Sequence, residues 1–215
     1  MTYLDLINKV LIRLRETQVA TPTDTDYAQL VGYLVNDAKS IVESAWDWAA
    51  LRTTKTITAY SGDNTYTITG SGGDYKFLDA YNDTSNFRLK LLTQNEMNNL
   101  INLNTAASSS PEYFSLNGLD SNGDQNIIVY PTPDATYTLK FDMVIREGEL
   151  EDATDTTAIP FRPIVMYAWA MATRERGETG GTAAQEIFGL ADRALADAVA
   201  LEANKYQAEL LWRPV

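Results

Sequence analysis

Ser44-Ala45-Trp46-Asp47-Trp48-Ala49-Ala50-Leu51-Arg52-Thr53-Thr54-Lys55-Thr56-Ile57-Thr58-Ala59-Tyr60 changes its hydrophobic period partway along. Upstream of it, Tyr27, Leu30, Val31, Leu34, Val35, Ala38, Ile41, Val42, Ala45 and Trp46 recur at helical spacing along one broad face. Downstream, Thr54 to Tyr60 alternates as a strand does. The spacing therefore predicts a helix from about Asp24 to Leu51 and a β-rich region from there on.

Toward the N-terminus, Leu4, Ile7, Leu11 and Leu14 mark an amphipathic helix over Tyr3 to Arg15, opened by a Thr2/Asp5 capping box and broken at Thr21-Pro22-Thr23. Toward the C-terminus, Thr54–Tyr60 and Thr65–Thr69 read as a hairpin through Ser61-Gly62-Asp63-Asn64. Phe77–Tyr81 and Phe87–Leu91 read as a second strand pair, and Thr93-Gln94-Asn95-Glu96 as a capping box before a short helix. Thr105 to Pro111 is a polar loop. Tyr113–Leu116, Asn126–Tyr130 and Ala135–Arg146 supply further strands, the last two joined by a Pro131-Thr132-Pro133-Asp134 turn.

Glu147 to Thr157 reads as an exposed acidic loop. Helices return with Pro163 in a first turn and Ile164, Tyr167, Ala168 and Met171 as a buried stripe. A final helix opens at a Thr182/Gln185 capping box, with Ile187, Phe188, Ala191, Ala194, Leu195, Ala198 and Leu201 along one face. The expected fold class is α+β: residues 1–52 and 161–215 form a helical bundle, and residues 53–160 an inserted antiparallel β domain.

Composition narrows the chemistry. Among 215 residues there is no Cys and no His, which removes disulfides, thiolate nucleophiles, zincin sites and histidine general bases. Only carboxylate chemistry of the glycosidase kind survives, and it needs two acids converging in a cleft; the chain is read as no enzyme, with no cofactor and no metal. No stretch approaches the roughly 20 apolar residues of a membrane helix. The first residues lack the basic and apolar regions of a signal peptide, so the expectation is a protein made in the cytoplasm and not inserted in a membrane. Net charge is −12, and residues 53–160 carry 15 acidic against 6 basic side chains. Such a field disfavours tight DNA binding while permitting DNA to pass as a non-specific channel contact.

Several strings stand together in this order: Ser44-Ala45-Trp46-Asp47-Trp48 before a strand; Leu91-Leu92-Thr93 leading into Glu96-Met97, then Pro111-Glu112-Tyr113-Phe114; Ile128-Val129-Tyr130-Pro131-Thr132-Pro133-Asp134 before Tyr137-Thr138-Leu139; and Ile159-Pro160 opening the Tyr167-Ala168-Trp169-Ala170 helix. In this order the chain resembles the head-to-tail adaptor, or connector, proteins of tailed bacteriophages. The resemblance implies a virion protein of the neck or tail region, made in the host cytoplasm. It also implies a ring homo-oligomer, usually a dodecamer, docked under the portal, extending the DNA channel and contacting tail or nozzle proteins. The alternative is a carbohydrate- or surface-binding tail module, because Tyr- and Thr-rich strands with polar loops suit glycan contact.

Candidate sites follow. Leu210, Leu211, Trp212, Arg213, Pro214 and Val215 form an apolar end suited to a portal-docking arm, against the bland reading that Trp212 folds back. Trp46, Trp48, Tyr167 and Trp169 serve either a subunit interface or the core. Glu147, Glu149, Glu151, Asp152 and Asp155 form a channel- or tail-facing acidic loop, or a solvated one. Asp120-Ser121-Asn122-Gly123-Asp124 begins like a calcium loop, but Gln125 replaces the sixth-position Gly and Pro131 the twelfth-position Glu, so it reads as a hairpin turn. Gly70-Ser71-Gly72-Gly73 lacks the Lys-Ser/Thr of a P-loop and reads as a turn.

Overall fold

A computed structural model describes residues 1–103, 107–177 and 182–205. The chain is mixed α+β and divides into two compact units, Met1–Ala50 with Glu147–Val215, and Leu51–Arg146.

The first unit is helical. Helix α1 spans Tyr3–Arg13, and both halves of its capping box form between Thr2 and Asp5. Leu6, Ile7, Val10 and Leu11 are buried along it. Helix α2 spans Asp26–Ala45, shorter at both ends than the periodicity predicts. At its start, Asp24 is consumed by a turn, accepting from the amides of Ala20 and Thr21 at 2.6 and 2.9 Å. Thr25 becomes the N-cap instead. At its end, Trp46 turns extended and Trp48 folds back, its Nε1 donating to the Val42 carbonyl at 2.8 Å. That bond satisfies one of the carbonyls a helix end leaves unpaired, so the helix stops there. Helix α4 spans Phe161–Glu175 and α5 spans Thr182–Ala203. Helix α4 packs on α2 and α5, and α1 packs on both α2 and α4. Ile41 and Leu201, read as stripe residues, are exposed, whereas the smaller Ala38 and Ala198 on the same helices are buried.

The second unit holds strands β1 Arg52–Ala59, β2 Thr65–Ile68, β3 Tyr75–Asn82, β4 Phe87–Arg88, β5 Lys90–Leu91, β6 Tyr113–Leu119, β7 Gln125–Tyr130 and β8 Tyr137–Ile145, with helix α3 at Gln94–Leu103. They form two sheets, ordered β1-β8-β3-β4 and β2-β7-β6-β5. The expected β1/β2 hairpin is absent: β1 pairs β8, and β2 pairs β7. Residues Ser61–Asn64 instead carry the chain from one sheet to the other. The Tyr66 hydroxyl donates to Asp63 O at 2.7 Å, and Gly62 N donates to Pro133 O at 2.9 Å, which fixes that corner. The β3/β4 pair forms as read, but Lys90-Leu91 leaves it and pairs in parallel with β6. Both sheets share one core of Ile57, Ile68, Phe114, Ile127, Val129, Leu139, Phe141 and Met143, with smaller residues between. Phe114 stands between the sheets, 5.2 Å from the Phe77 ring and 5.4 Å from Phe141.

Candidate functional site

The acidic segment follows β8 and belongs to the helical unit. It is anchored where the sequence reads as a free loop. Leu150 and Ile159 are buried, and Leu150 exchanges two hydrogen bonds with the Asn36 side chain of α2, each 3.0 Å. Backbone carbonyls of Asp155 and Ala153 accept from Tyr3 N and Leu4 N, at 2.7 and 3.3 Å, supplying acceptors to the open N-terminus of α1.

The five acids divide by task. Asp155 folds over its own turn and accepts from the amides of Glu151 and Asp152 at 2.9 and 2.8 Å, which holds its carboxyl below the ordinary aspartate range. Glu147 Oε1 accepts from Ala158 N at 3.0 Å. Glu149, Glu151 and Asp152 stay exposed.

Beneath the segment lies a charge cluster that the sequence reading missed. Lys39 is 2% exposed, and its Nζ donates to the carbonyls of Glu147 and Gly148 at 3.2 and 2.9 Å. The same ammonium lies 2.8 Å from Glu43 Oε1 and 3.7 Å from Glu147 Oε2. Neither carboxylate oxygen has a well-aligned hydrogen bond, so these contacts are coulombic. Burial raises the Glu43 pKa, opposed by Lys39 and reinforced by Glu147. The signal was present in the spacing: Lys39 and Glu43 continue the register of Val35 and Val42 on the apolar stripe. Glu43 and Glu147 are thus two acids that the fold brings together, and they meet at a buried ammonium instead of an open cleft of the glycosidase kind.

The aromatic candidates separate. Trp48 is buried, while Trp46 is 37% exposed. Tyr167 is buried and donates to Asp192 Oδ1 at 2.6 Å; burial, reinforced by that carboxylate, pushes its pKa up to about 12. Trp169 is half-buried. Arg176 was also unforeseen: its guanidinium reaches Tyr27 Oη and Glu16 Oε1, each at 2.6 Å, and lies 4.4 Å from the Tyr27 ring centroid. It ties the ends of α1 and α4 to the start of α2. The docking-arm residues Leu210 to Val215 lie outside the described residues, as does the side chain of Thr182, while Gln185 of the same cap is exposed.

In the Asp120–Asp124 turn both carboxylates bind backbone amides. Asp120 Oδ1 accepts from Asn122 and Asp124, and Asp124 accepts from Gly70 and Gly72 at 2.9 and 3.0 Å. Among the described residues no helix is long and apolar enough to cross a membrane.

No curated protein matches the chain. The family model described as SU10 adaptor protein matches residues 1–213, a span that takes in both units and every string on which the resemblance rests. The chain belongs to the SU10 adaptor protein family, a family of structural phage head-to-tail adaptors.

Proposed function

We propose that the chain is the repeating subunit of a ring, a dodecamer, that docks under the portal of a tailed phage, extends the DNA channel and offers the tail its attachment platform. The observation that carries this reading is the family match over residues 1–213. Three features of the chain support it. The helical unit offers faces to neighbours, and Trp46, large, apolar and exposed, is suited to a contact between copies. The acidic segment from Glu147 to Asp155 faces the channel or the tail. Residues 210–215, apolar and carrying Trp212 and Arg213, dock on the portal. A closed ring of identical chains needs heterologous contacts, so the two flanks of each subunit differ.

Native mass spectrometry of the protein, alone and with its cognate portal, tests the reading. The expected outcome is stoichiometric loading of the portal ring, reduced when residues 210–215 are deleted. A trimer indifferent to the portal would replace it with the surface-binding module.

A further inference from the structure

Helix α3 packs on β6 and β7, and Met97 is its buried residue. Glu96, Asn99, Leu100 and Leu103, three and four residues apart, share another side of the same helix. Among the described residues these four, with Leu92 and Tyr113, line a groove of about 450 Å³ within the β unit. That volume lies in the range of roughly 300–1,000 Å³ that encloses a small ligand, so the groove can hold a short run of side chains. Its apolar wall is unfinished, since Leu103 is 78% exposed.

The charge at the groove is half used. Glu96 Oε2 accepts from Thr93 N and Oγ1 at 2.9 and 2.7 Å, and Oε1 has no partner among the described residues. The Thr93 amide and hydroxyl hold that carboxyl below the ordinary glutamate range, so it is anionic at neutral pH. The groove therefore asks for large apolar side chains with a cation beside them. Residues 210–213 have that chemistry in one run: Leu210, Leu211 and Trp212 are apolar and Arg213 follows directly. Leucine and indole match the leucine wall, and a guanidinium matches a free carboxylate oxygen. Ten residues, 206–215, follow the last described one, and a chain of that length spans at most roughly 36 Å, enough to cross to an adjacent molecule.

We propose that the groove beside α3 seats Leu210 to Arg213 of a second copy of this chain. Segment and groove are different surfaces of one sequence, one following α5 and the other in the β unit, so each copy gives one and receives one. Contacts of that kind are heterologous and can close into a ring. In the portal-free protein the seat covers apolar side chains that are costly to leave in water. The release of the segment to a portal rests on the adaptor reading above; the seat itself does not.

The chain has no Cys, so single thiols placed in it report this contact without background. Full-length, isotope-labelled Pro214→Cys is mixed with unlabelled Asn99→Cys or Asn98→Cys in a glutathione redox buffer without portal, and the mixed disulfide is followed by mass. Asn99 lines the groove, whereas Asn98 is exposed and turned about 100° around α3. Asn99→Cys should form the mixed disulfide about tenfold faster than Asn98→Cys. Adding Leu103→Asp to Asn99→Cys, at an exposed position, should slow it about fivefold. Equal rates for Asn99→Cys and Asn98→Cys, or a rate that Leu103→Asp leaves unchanged, overturn the proposal. So does a chain carrying both Pro214→Cys and Asn99→Cys that closes an internal disulfide at a rate independent of dilution, because its own groove then holds the segment. Portal loading is read separately on the wild type. Disulfide without portal loading keeps the seat and removes the adaptor reading, and portal loading without the disulfide does the reverse.

Discussion

The two units solve the same problem with different chemistry. The helical unit buries Lys39, Glu43 and Glu202, whereas the buried polar residues of the β unit, Ser71, Asn82, Ser115 and Gln125, are uncharged. Net charge differs in the same sense: −9 for the helical unit, and −3 for Leu51–Arg146 with 10 acidic and 7 basic side chains. The cause lies in the backbone. Helix hydrogen bonds are local, so they say nothing about which segment lies against which. Side chains must supply that information, and here ions do it: Lys39 grips the carbonyls of Glu147 and Gly148, and Glu202 accepts from Ala49 N at 2.9 Å. In sheets the ladder itself is long-range, as when Arg52 through Ala59 pair with Val144 back to Tyr137. No buried ion is needed to set that register.

The sharpest way to break this contrast is to remove the ion in one unit and the central ring in the other. Lys39→Met leaves Glu43 and Glu147 facing each other without a counter-charge, and should cost about 3–5 kcal/mol. Lys39→Met with Glu43→Leu should recover most of that, because the pair is replaced by apolar volume. Phe114→Ala in the β unit should cost about 3–4 kcal/mol through cavity formation between the sheets. All four tryptophans lie in the helical unit, so urea-induced change in tryptophan fluorescence reads that unit alone. The Lys39 variants should move its midpoint, and Phe114→Ala should appear chiefly in the far-ultraviolet signal. If Phe114→Ala shifts the fluorescence midpoint equally, the units unfold together and the contrast is structural without being thermodynamic.

A smaller effect comes from two caps of the same design. Thr2 and Asp5 form a box at α1, and Thr93 and Glu96 one at α3, with Glu96 N donating to Thr93 Oγ1 at 3.3 Å. Thr2→Ala should cost about 1 kcal/mol of helical-unit stability, because α1 is buried along one face. Thr93→Ala should fray α3 locally, since Met97 is its one fully buried residue. Amide exchange would show this as faster exchange in α3 with the β ladders unchanged; a general rise across β6 and β7 would mean that α3 is integral to the sandwich.

Both caps were legible in the sequence, as were α1 and the strand segments, because each is a local pattern a few residues long. Strand partners were not. Ser61-Gly62-Asp63-Asn64 has hairpin composition, yet the energy that decides its path is the burial of Ile57 and Ile68 in one core from two different sheets. Local turn chemistry is compatible with either outcome. The acidic segment shows the same limit from the other side. Its charge was visible, and its anchoring was not, because Asn36 and Lys39 act from more than a hundred residues away. Even the location of the charge changes: residues 147–155 carry five acids, and their membership in the helical unit makes that unit the acidic one.

The gentlest test of the contrast is titration of one carboxylate in each unit. Asp124 accepts from Gly70 and Gly72, both at positive φ, and these amides hold its pKa below the ordinary 3.8. A depressed carboxyl contributes stability that is complete above its unfolded value and is lost as pH falls through its folded one. Acidification below 3.8 should therefore release the Gly70–Gly72 turn, visible as coupled shifts of those two amides. Glu43 has the opposite sign. Burial raises its pKa above 4.5, so the native state takes up a proton there before the unfolded chain does. Its charged form is the burden, and the folded state gains at this residue as pH drops through the raised value toward 4.5. Side-chain carbon shifts should place the Glu43 midpoint above 4.5 and that of Asp124 below 3.8. A Glu43 midpoint below 4.5 would mean that Lys39 outweighs desolvation, so that the buried pair stabilises the helical unit in its charged form and sets more than its register.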